Sequence, residues 1–323
     1  MKLLRNSQDA IDTPGAYGMA AARDRPVVIR ADRVRLDLQG HALCGAEGPG
    51  SRTAGIYIAH GCRDVRIENG TISGFMYGVL ADDGLSGERS SRVALRRLAL
   101  SGNTFRGALL FASHSTVEDC IVSDTGGTTV HEDAYVFGIE VRGDHARVCR
   151  NVIHDFYSPG LGESVGISLS DEGDAASSVE SNVVVNTRLP EAGRAFGAWV
   201  RNRAMVRRNV FINLTYAIAP PEYRDSKNTV DNIVIGEQCA DGLFASSGKG
   251  SGTLVVDLPQ PECLDSLPKA FAHVDENDAA SLVRLASLLQ WTGRHDEAVR
   301  YYRLAAALGS AEAQRHIPRD PAD

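Results

Sequence analysis

The chain is 323 residues long, 43% hydrophobic but only 6% aromatic, with a net charge of −7. That length supports a large core packed with aliphatic side chains, and no run of roughly 18 apolar residues is available to cross a membrane as a helix. Basic and acidic residues are scattered rather than blocked, which argues against nucleic acid or an anionic membrane as a partner. The opening Met1-Lys2-Leu3-Leu4-Arg5-Asn6-Ser7 has no apolar run behind its basic residues. As written the sequence therefore reads as cytoplasmic, and as secreted or periplasmic if a leader was removed. The six cysteines, Cys44, Cys62, Cys120, Cys149, Cys239 and Cys263, show no CxxC or Cys/His ligand spacing and read mostly as buried thiols. Cys239 and Cys263 are the one pair to test for a bridge.

Along the chain one pattern returns eight times: a small residue, an aliphatic residue, any residue, then another apolar one. The copies begin at Gly55, Gly78, Gly107, Gly138, Gly166, Gly197, Ala217 and Gly242, at spacings of 23, 29, 31, 28, 31, 20 and 25 residues. A second ladder advances with the first, at Asn151-Val152-Ile153, Asn182-Val183-Val184, Asn209-Val210-Phe211 and Asn232-Ile233-Val234. Each unit thus holds two or three short strands of alternating character, and none can bury its own inner face. Stacking the units in parallel pairs every backbone edge and joins the inward Ile, Val and Leu positions into one column. The predicted fold is all-β: a right-handed single-stranded parallel β-helix of about nine rungs over residues 1–258. Asparagine at one corner of successive coils fits a structural ladder, since it tolerates left-handed backbone and its amide bonds to the matching amide one rung away.

The stretches Pro14-Gly15-Ala16-Tyr17, Val28-Ile29-Arg30-Ala31-Asp32-Arg33-Val34-Arg35-Leu36-Asp37-Leu38-Gln39-Gly40-His41 and Val65-Arg66-Ile67-Glu68-Asn69-Gly70-Thr71-Ile72-Ser73-Gly74-Phe75 resemble the opening coils of bacterial parallel β-helix repeat proteins. That pectate-lyase-like superfamily includes pectate lyases, polygalacturonases, alginate C5-epimerases and accessory proteins of nitrous-oxide reductase. The resemblance covers roughly residues 10 to 250 and implies an architecture without choosing an activity. The acid and glycine-histidine motifs of polygalacturonases and the Asp-Pro-His-Glu of alginate epimerases are missing. Asp82-Asp83 follows a repeat strand and reads as a solvated rim.

After Gly248-Lys249-Gly250-Ser251-Gly252 and Leu258-Pro259-Gln260-Pro261 the composition changes. Residues 259–276 read as a linker, and from about Asn277 the apolar spacing becomes helical. Leu285-Ala286, Leu289, Gly293, Glu297-Ala298, Tyr301-Tyr302 and Ala305 to Leu308 resemble one tetratricopeptide-type or Sel1-type helix pair, with Ala311-Glu312-Ala313-Gln314 opening a third helix. One copy makes no peptide groove. It reads as a cap for the solenoid, with a homo-oligomer or protein partner through these helices as the alternative.

Geometry places a site on the outward positions of the first strand of each coil: Tyr57, Ala59, Leu80, Asp82, Leu109, Phe111, Glu140, Arg142, Ser168, Ser170, Trp199, Arg201, Ala219 and Phe244. Charge, hydroxyls and a Trp concentrate on the middle rungs, where the longest incoming loops, Ser123 to Phe137, His154 to Val165 and Asn186 to Phe196, bring His131, Glu132, Asp133, Tyr135, His154, Asp155, Tyr157, Glu163 and Arg194. Long loops on a rigid scaffold commonly carry function, and this mixture suits a saccharide. With a uronic acid substrate, removal of the C5 proton starts elimination or epimerisation once the neighbouring carboxylate is neutralised. Arg142 or Arg201 would neutralise it, His131 or His154 would be the base, and Tyr135 or Tyr157 the acid. Ser168, Ser170, Arg194, Trp199 and Arg201 would bind substrate. Hydrolysis would instead use Asp133 with Glu140.

The plainer alternative makes the histidines loop residues satisfied by carboxylates and Glu140–Arg142 an ion pair. No cofactor is expected; the acidic turn Asp171, Glu172, Asp174 offers oxygen ligands for calcium, against an exposed acidic loop. Beside a carbohydrate-active lyase or epimerase stand two other readings: a non-catalytic glycan- or protein-binding assembly protein, and a cytoplasmic small-molecule lyase or isomerase.

Overall fold

The computed structural model describes residues 1–5, 8–82, 89–131, 134–170, 177–187, 194–201, 204–219, 228–235, 254–256, 279, 282–283, 286, 295–314 and 316–317. The chain divides into two compact units, Met1–Asp257 and Leu258–Asp323. Asp133, Cys239, Cys263, the acidic turn, the 259–276 segment, and the repeat copy at Gly242 with its Phe244 lie outside the described residues.

Among the described residues of the first unit nine strands stack in parallel, one per coil: β1 Ala10–Ile11, β2 Val27–Ile29, β3 Ala54–Ile58, β4 Tyr77–Ala81, β5 Arg106–Leu110, β6 Val136–Arg142, β7 Ser164–Ser170, β8 Ala195–Val200 and β9 Tyr216–Ala219. Among the described residues a second parallel sheet of 18 strands forms the other faces of the same coils. The expected all-β parallel β-helix is therefore observed, with nine stacked strands on the face that carries the repeat. Seven of the eight repeat copies are β3 to β9.

The repeat's small residue has a steric cause. A Cβ added at Gly55, Gly78, Gly107, Gly138, Gly166 or Gly197 would stand 2.4–2.9 Å from the carbonyl oxygen of the matching residue one coil on. The coil turns so tightly here that only a hydrogen fits. The aliphatic residue that follows points inward, and Ile56, Val79, Ala108, Ile139, Ile167, Ala198 and Ile218 form a continuous buried column. Burial of each large member contributes about 1.5–3 kcal/mol.

The asparagine ladder is present, one position removed from the expected backbone role. Asn151, Asn182, Asn209 and Asn232 are buried, and each amide Nδ2 donates to the Oδ1 of the next at 3.0, 2.9 and 3.0 Å. The same Oδ1 atoms accept backbone N–H groups of Cys120, Asn151, Asn182 and Asn209. Along the ladder the left-handed backbone belongs to the residue before each Asn, Arg150, Ser181, Arg208 and Asp231, with φ between 54 and 56°, while on earlier coils Asn69, Arg97 and Asp119 hold the same corner at φ 49 to 60°. A left-handed corner residue turns the chain, and the Asn behind it satisfies the backbone groups the turn exposes.

Beside this corner runs a charge ladder. The fully buried carboxylate of Glu68 accepts from Arg35, Arg66 and Arg97 at 2.5, 2.5 and 2.8 Å. One and two coils on, Arg96 meets Glu118 at 2.5 Å and Arg150 joins it at 2.9 Å.

In the second unit the described residues give helix α1, His295–Ala307, and the single turn α2, Ala311–Gln314. Ala298, Tyr302 and Ala305 form the buried stripe at helical spacing. Gly309, at φ 91°, ends α1 in the left-handed conformation, while Ser310 Oγ accepts from Ala313 N–H as the cap of α2. The expected helix pair lacks its first member among the described residues, where positions 279, 282, 283 and 286 are helical and Gly293 is not covered.

Candidate functional site

The outward face of β3 to β9 carries three rows of side chains in register. The leading row precedes the glycine of each copy: Tyr77, Arg106, Phe137, Val165, Phe196 and Tyr216. The central row is Tyr57, Leu80, Leu109, Glu140, Ser168, Trp199 and Ala219. The trailing row includes Arg142 and Ser170, paired on neighbouring coils. Phe111, whose N–H donates to Ala81 at 2.9 Å, and Asp82, whose N–H donates to Ile58 at 2.9 Å, extend it toward the early coils. Arg201, whose N–H donates to Leu169, extends it the other way.

At the centre, Glu140 is 2% exposed and both its oxygens are taken. Arg106 Nε donates to Oε2 at 2.6 Å from the preceding coil, and Arg142 Nε donates to Oε1 at 2.7 Å. Arg106 is itself buried, its guanidinium 3.7 Å from the centre of the Phe105 ring and 4.7 Å from that of Phe137, and it donates to the Tyr135 carbonyl at 3.2 Å. Burial pushes the Arg106 guanidinium down from its ordinary value, against the pull of Glu140. The Tyr77 phenol, in the same row, is pushed up by burial. Arg142 is half exposed and its guanidinium, held on its own coil by Glu140, lies 5.0 Å from the centre of the Phe111 ring on the preceding coil.

Farther along, Phe196 packs against Trp199 at 5.0 Å and stacks on Tyr216 at 5.2 Å, while Arg194 pairs with Glu163 and lies over Phe196 at 5.5 Å. Burial works against the charged form of Arg194, but the hydrogen bonds and charge attraction of Glu163 and Tyr216 together outweigh it and raise its pKa. Phe137, Val165, Phe196 and Ala219 form a small apolar cluster outside the main core, with Trp199 and Tyr216 packed on it. Trp199 is left partly exposed at its edge.

The structure thus brings Glu140, Arg142, Ser168, Ser170, Trp199 and Arg201 onto one face, with Arg194 on its flank. Tyr135 is exposed immediately before β6, and the exposed His131 ring lies 5.2 Å from that of Phe105. His154 and Tyr157 are a correction: they belong to the strand Val152–Tyr157 of the second sheet, paired as Ser123↔His154 and Gly126↔Tyr157. The segments read as long loops are partly strand, because the run Val152-Ile153 continues to the buried Phe156. His154 Nδ1 is 3.0 Å from Asp155, whose other oxygen accepts from Thr187. Burial would raise the Asp155 carboxyl, but the bonds from Thr187 and His154 win and lower it. Asp82 is a second correction, being fully buried rather than a solvated rim, with its Oδ1 2.6 Å from His60 Nδ1.

Residues missed from the sequence are Tyr77, Phe105, Arg106, Phe137, Phe196, Tyr216 and His60. A signal for most of them was present: the residue before the small one of the repeat is aromatic or Arg in five of the six copies from Gly78 to Ala217.

A face of stacked parallel strands carrying buried charge and aromatic rows defines a protein of the parallel β-helix class. Residues 47–213 match the family model described as the right handed beta helix region. That span is more than half of the chain, which belongs to this family. No curated protein matched it, and neither did any solved structure.

Proposed function

We propose that the outward face of β4 to β8 binds an extended saccharide carrying uronic acid groups and acts on it by removing a C5 proton, in the manner of pectate-lyase-like enzymes. The observation that carries this reading is the in-register row Glu140, Ser168, Trp199, flanked by Arg142 and Ser170. It sets a fixed cation, two hydroxyls and an aromatic edge at successive coil spacings of about 4.8 Å, so the face from β4 to β8 spans about 19 Å. That length accommodates several sugar rings laid along the solenoid axis. Arg142 offers a guanidinium to a uronate carboxylate, and neutralising that charge is what makes the adjacent C5 proton removable.

Hydrolysis through Glu140 is the weaker chemistry. A carboxylate gripped on both oxygens by two arginines is a poor nucleophile and a poor acid. The experiment is a screen of the purified chain against oligomers of alginate, pectate, glucuronan and hyaluronan, following binding by Trp fluorescence and product by ultraviolet absorbance of unsaturated uronates. Binding of at least one oligouronate with release of unsaturated product, or with solvent deuterium entering at C5, is expected. Neither binding nor exchange with any of them would sink the reading.

A further inference from the structure

The outward face of the second sheet carries a charge pattern that the candidate site does not use. Three glutamates, Glu68, Glu118 and Glu180, are each gripped by arginines of neighbouring coils. Arg35, Arg66 and Arg97 hold Glu68, and Arg96 and Arg150 hold Glu118. Arg147, Arg207 and Arg208 approach Glu180 at 4.0, 3.0 and 3.8 Å. The register joins the three groups into one stripe, because Glu68, Arg96, Glu118, Cys149, Glu180 and Arg207 are successive partners on adjacent coils. Arg66, Ala94, Thr116, Arg147, Ser178 and Met205 run beside them, and Arg35 precedes Arg66. At about 4.8 Å per coil the stripe is roughly 29 Å long.

Its charge is layered. The glutamate side chains are 0, 11 and 12% exposed, while those of the eight arginines are 34–56% exposed, so the carboxylates lie beneath and the cations on top. Three aspartates flank the stripe: Asp119 accepts from Arg150 on both oxygens, Asp37 accepts from Gln39 N–H and Asn69 Nδ2, and Asp231 follows the corner of Arg208. The stripe is thus net positive on a chain whose total charge is −7. The structural alternative is that the arginines only neutralise the buried glutamates. Three would suffice for that, and eight are present.

We propose that this stripe is a second, non-catalytic binding surface that holds an extended polyuronate chain along the solenoid axis by its carboxylates. Guanidinium forks match planar carboxylates two bonds at a time, and buried glutamates hold these forks in place before the ligand arrives. Thr116 and Ser178 add hydroxyls between the cations. The two columns carry no aromatic side chain, whereas a single nucleic acid strand is held largely by bases stacked on aromatic rings. The choice of a uronate chain rests on the saccharide reading of the nine-strand face, and goes beyond it by giving the same polymer an anchor on another side of the coils.

The test is native electrophoresis of the full chain through gels containing polygalacturonate, alginate or uncharged dextran, with an oligothymidylate as competitor. Retention by a polyuronate but not by dextran is expected, although an anionic gel should repel a chain of this net charge. Retention should fall as salt is added, because each ion contact releases a counterion. Arg147→Gln/Arg208→Gln leaves Glu180 its contact with Arg207, and should weaken retention at least tenfold while the melting temperature moves by a few degrees. Trp199→Ala, which touches the other face, should keep retention that the double variant then abolishes. As a check independent of the variants' folding, bound polyuronate should protect Arg147, Arg150, Arg207 and Arg208 of the wild type from phenylglyoxal, read by peptide mass spectrometry. Full retention of the double variant, or binding without protection of these arginines, overturns the stripe and leaves the nine-strand face standing. Equal retention by dextran, or displacement by oligothymidylate at lower concentration than by oligouronate, overturns the assigned partner. Loss of all retention in Trp199→Ala alone places the polymer on the nine-strand face only, and failure of that face to turn over uronates leaves the anchor intact.

Discussion

Arg106 and Glu140, 34 residues apart in sequence, meet at 2.6 Å on adjacent coils with both side chains buried. Coil stacking alone creates this pair, and neither partner has water to fall back on. Breaking a buried pair from one side typically costs 3–5 kcal/mol, whereas replacing both partners by apolar residues is often nearly neutral. Arg106→Met and Glu140→Met should each lower unfolding free energy by about that amount in urea titrations, and Arg106→Met/Glu140→Met should recover most of it. A strictly additive double variant would show the pair to be uncoupled.

The asparagine ladder yields a second expectation. Asn182 donates to the Val148 carbonyl and Asn209 Oδ1 and accepts from Asn151 through both its backbone and its side-chain amide, all at 2.9–3.0 Å. Asn182→Ala strands several buried groups at once, each costing about 1–3 kcal/mol when left unmade. A loss of roughly 3–5 kcal/mol is expected, with hydrogen exchange accelerating at Asn151 and Asn209 on the two adjacent coils. Protection unchanged at both would mean that the ladder is ornamental.

How far the sequence reached depends on whether a residue's role is set within one coil or between coils. The glycine-aliphatic pattern and the Asn positions recur because each coil solves the same steric problem, so Gly138, Ile139 and Asn151 were readable by periodicity. Glu140 and Arg142 were placed correctly on the outward face for the same reason. Arg106 as Glu140's partner was not readable, since the pairing depends on which coil lies beneath β6 and on unequal loop lengths between coils. His154 misled because Val152–Tyr157 is longer than the short Asn-Val-Ile signature and carries it into the second sheet. Asp82 misled because an Asp-Asp pair suggests a wet edge, while its side chain is buried and meets His60, 22 residues away.

The glycine column admits a sharp comparison. A Cβ at Gly107 would lie 2.5 Å from the Gly138 carbonyl oxygen and 2.6 Å from a Val122 methyl, whereas at Gly50 nothing lies within 4 Å. Gly107→Ala should cost about 1–3 kcal/mol or more through overpacking against backbone that is pinned by the next coil. Gly50→Ala should change the melting temperature little. Equal melting temperatures for the two variants would contradict the close approach.

The charge ladder implies a pH dependence whose sign is fixed. Burial acts to raise the Glu68 carboxyl, but hydrogen bonds from Arg35 and Arg66 outweigh it, and the folded-state pKa lies below the ordinary glutamate value. A depressed folded pKa contributes stability that is fully present above the unfolded value, about 4.3. That contribution fades as the pH falls through the folded value. Glu68→Gln should therefore be less stable than the wild type at pH 7, and the gap should narrow below about pH 4. A gap that widens on acidification would reverse the sign and refute the assignment.

Trp199 is the aromatic edge on which the saccharide reading leans, and its position limits what its loss can do. It is partly exposed and packs on Phe196 from outside the main core, so truncation removes surface contact more than core volume. An exposed aromatic that a ligand covers commonly contributes 1.4–2 kcal/mol to binding, or roughly ten- to thirtyfold in Kd. Trp199→Ala should weaken oligouronate binding by that factor and shift the melting temperature by only a few degrees, while Trp199→Phe should keep most of the affinity. The chain has two tryptophans, so comparing fluorescence quenching in the wild type and Trp199→Phe assigns the signal. Quenching that survives in Trp199→Phe at full amplitude would place the ligand elsewhere than on this face.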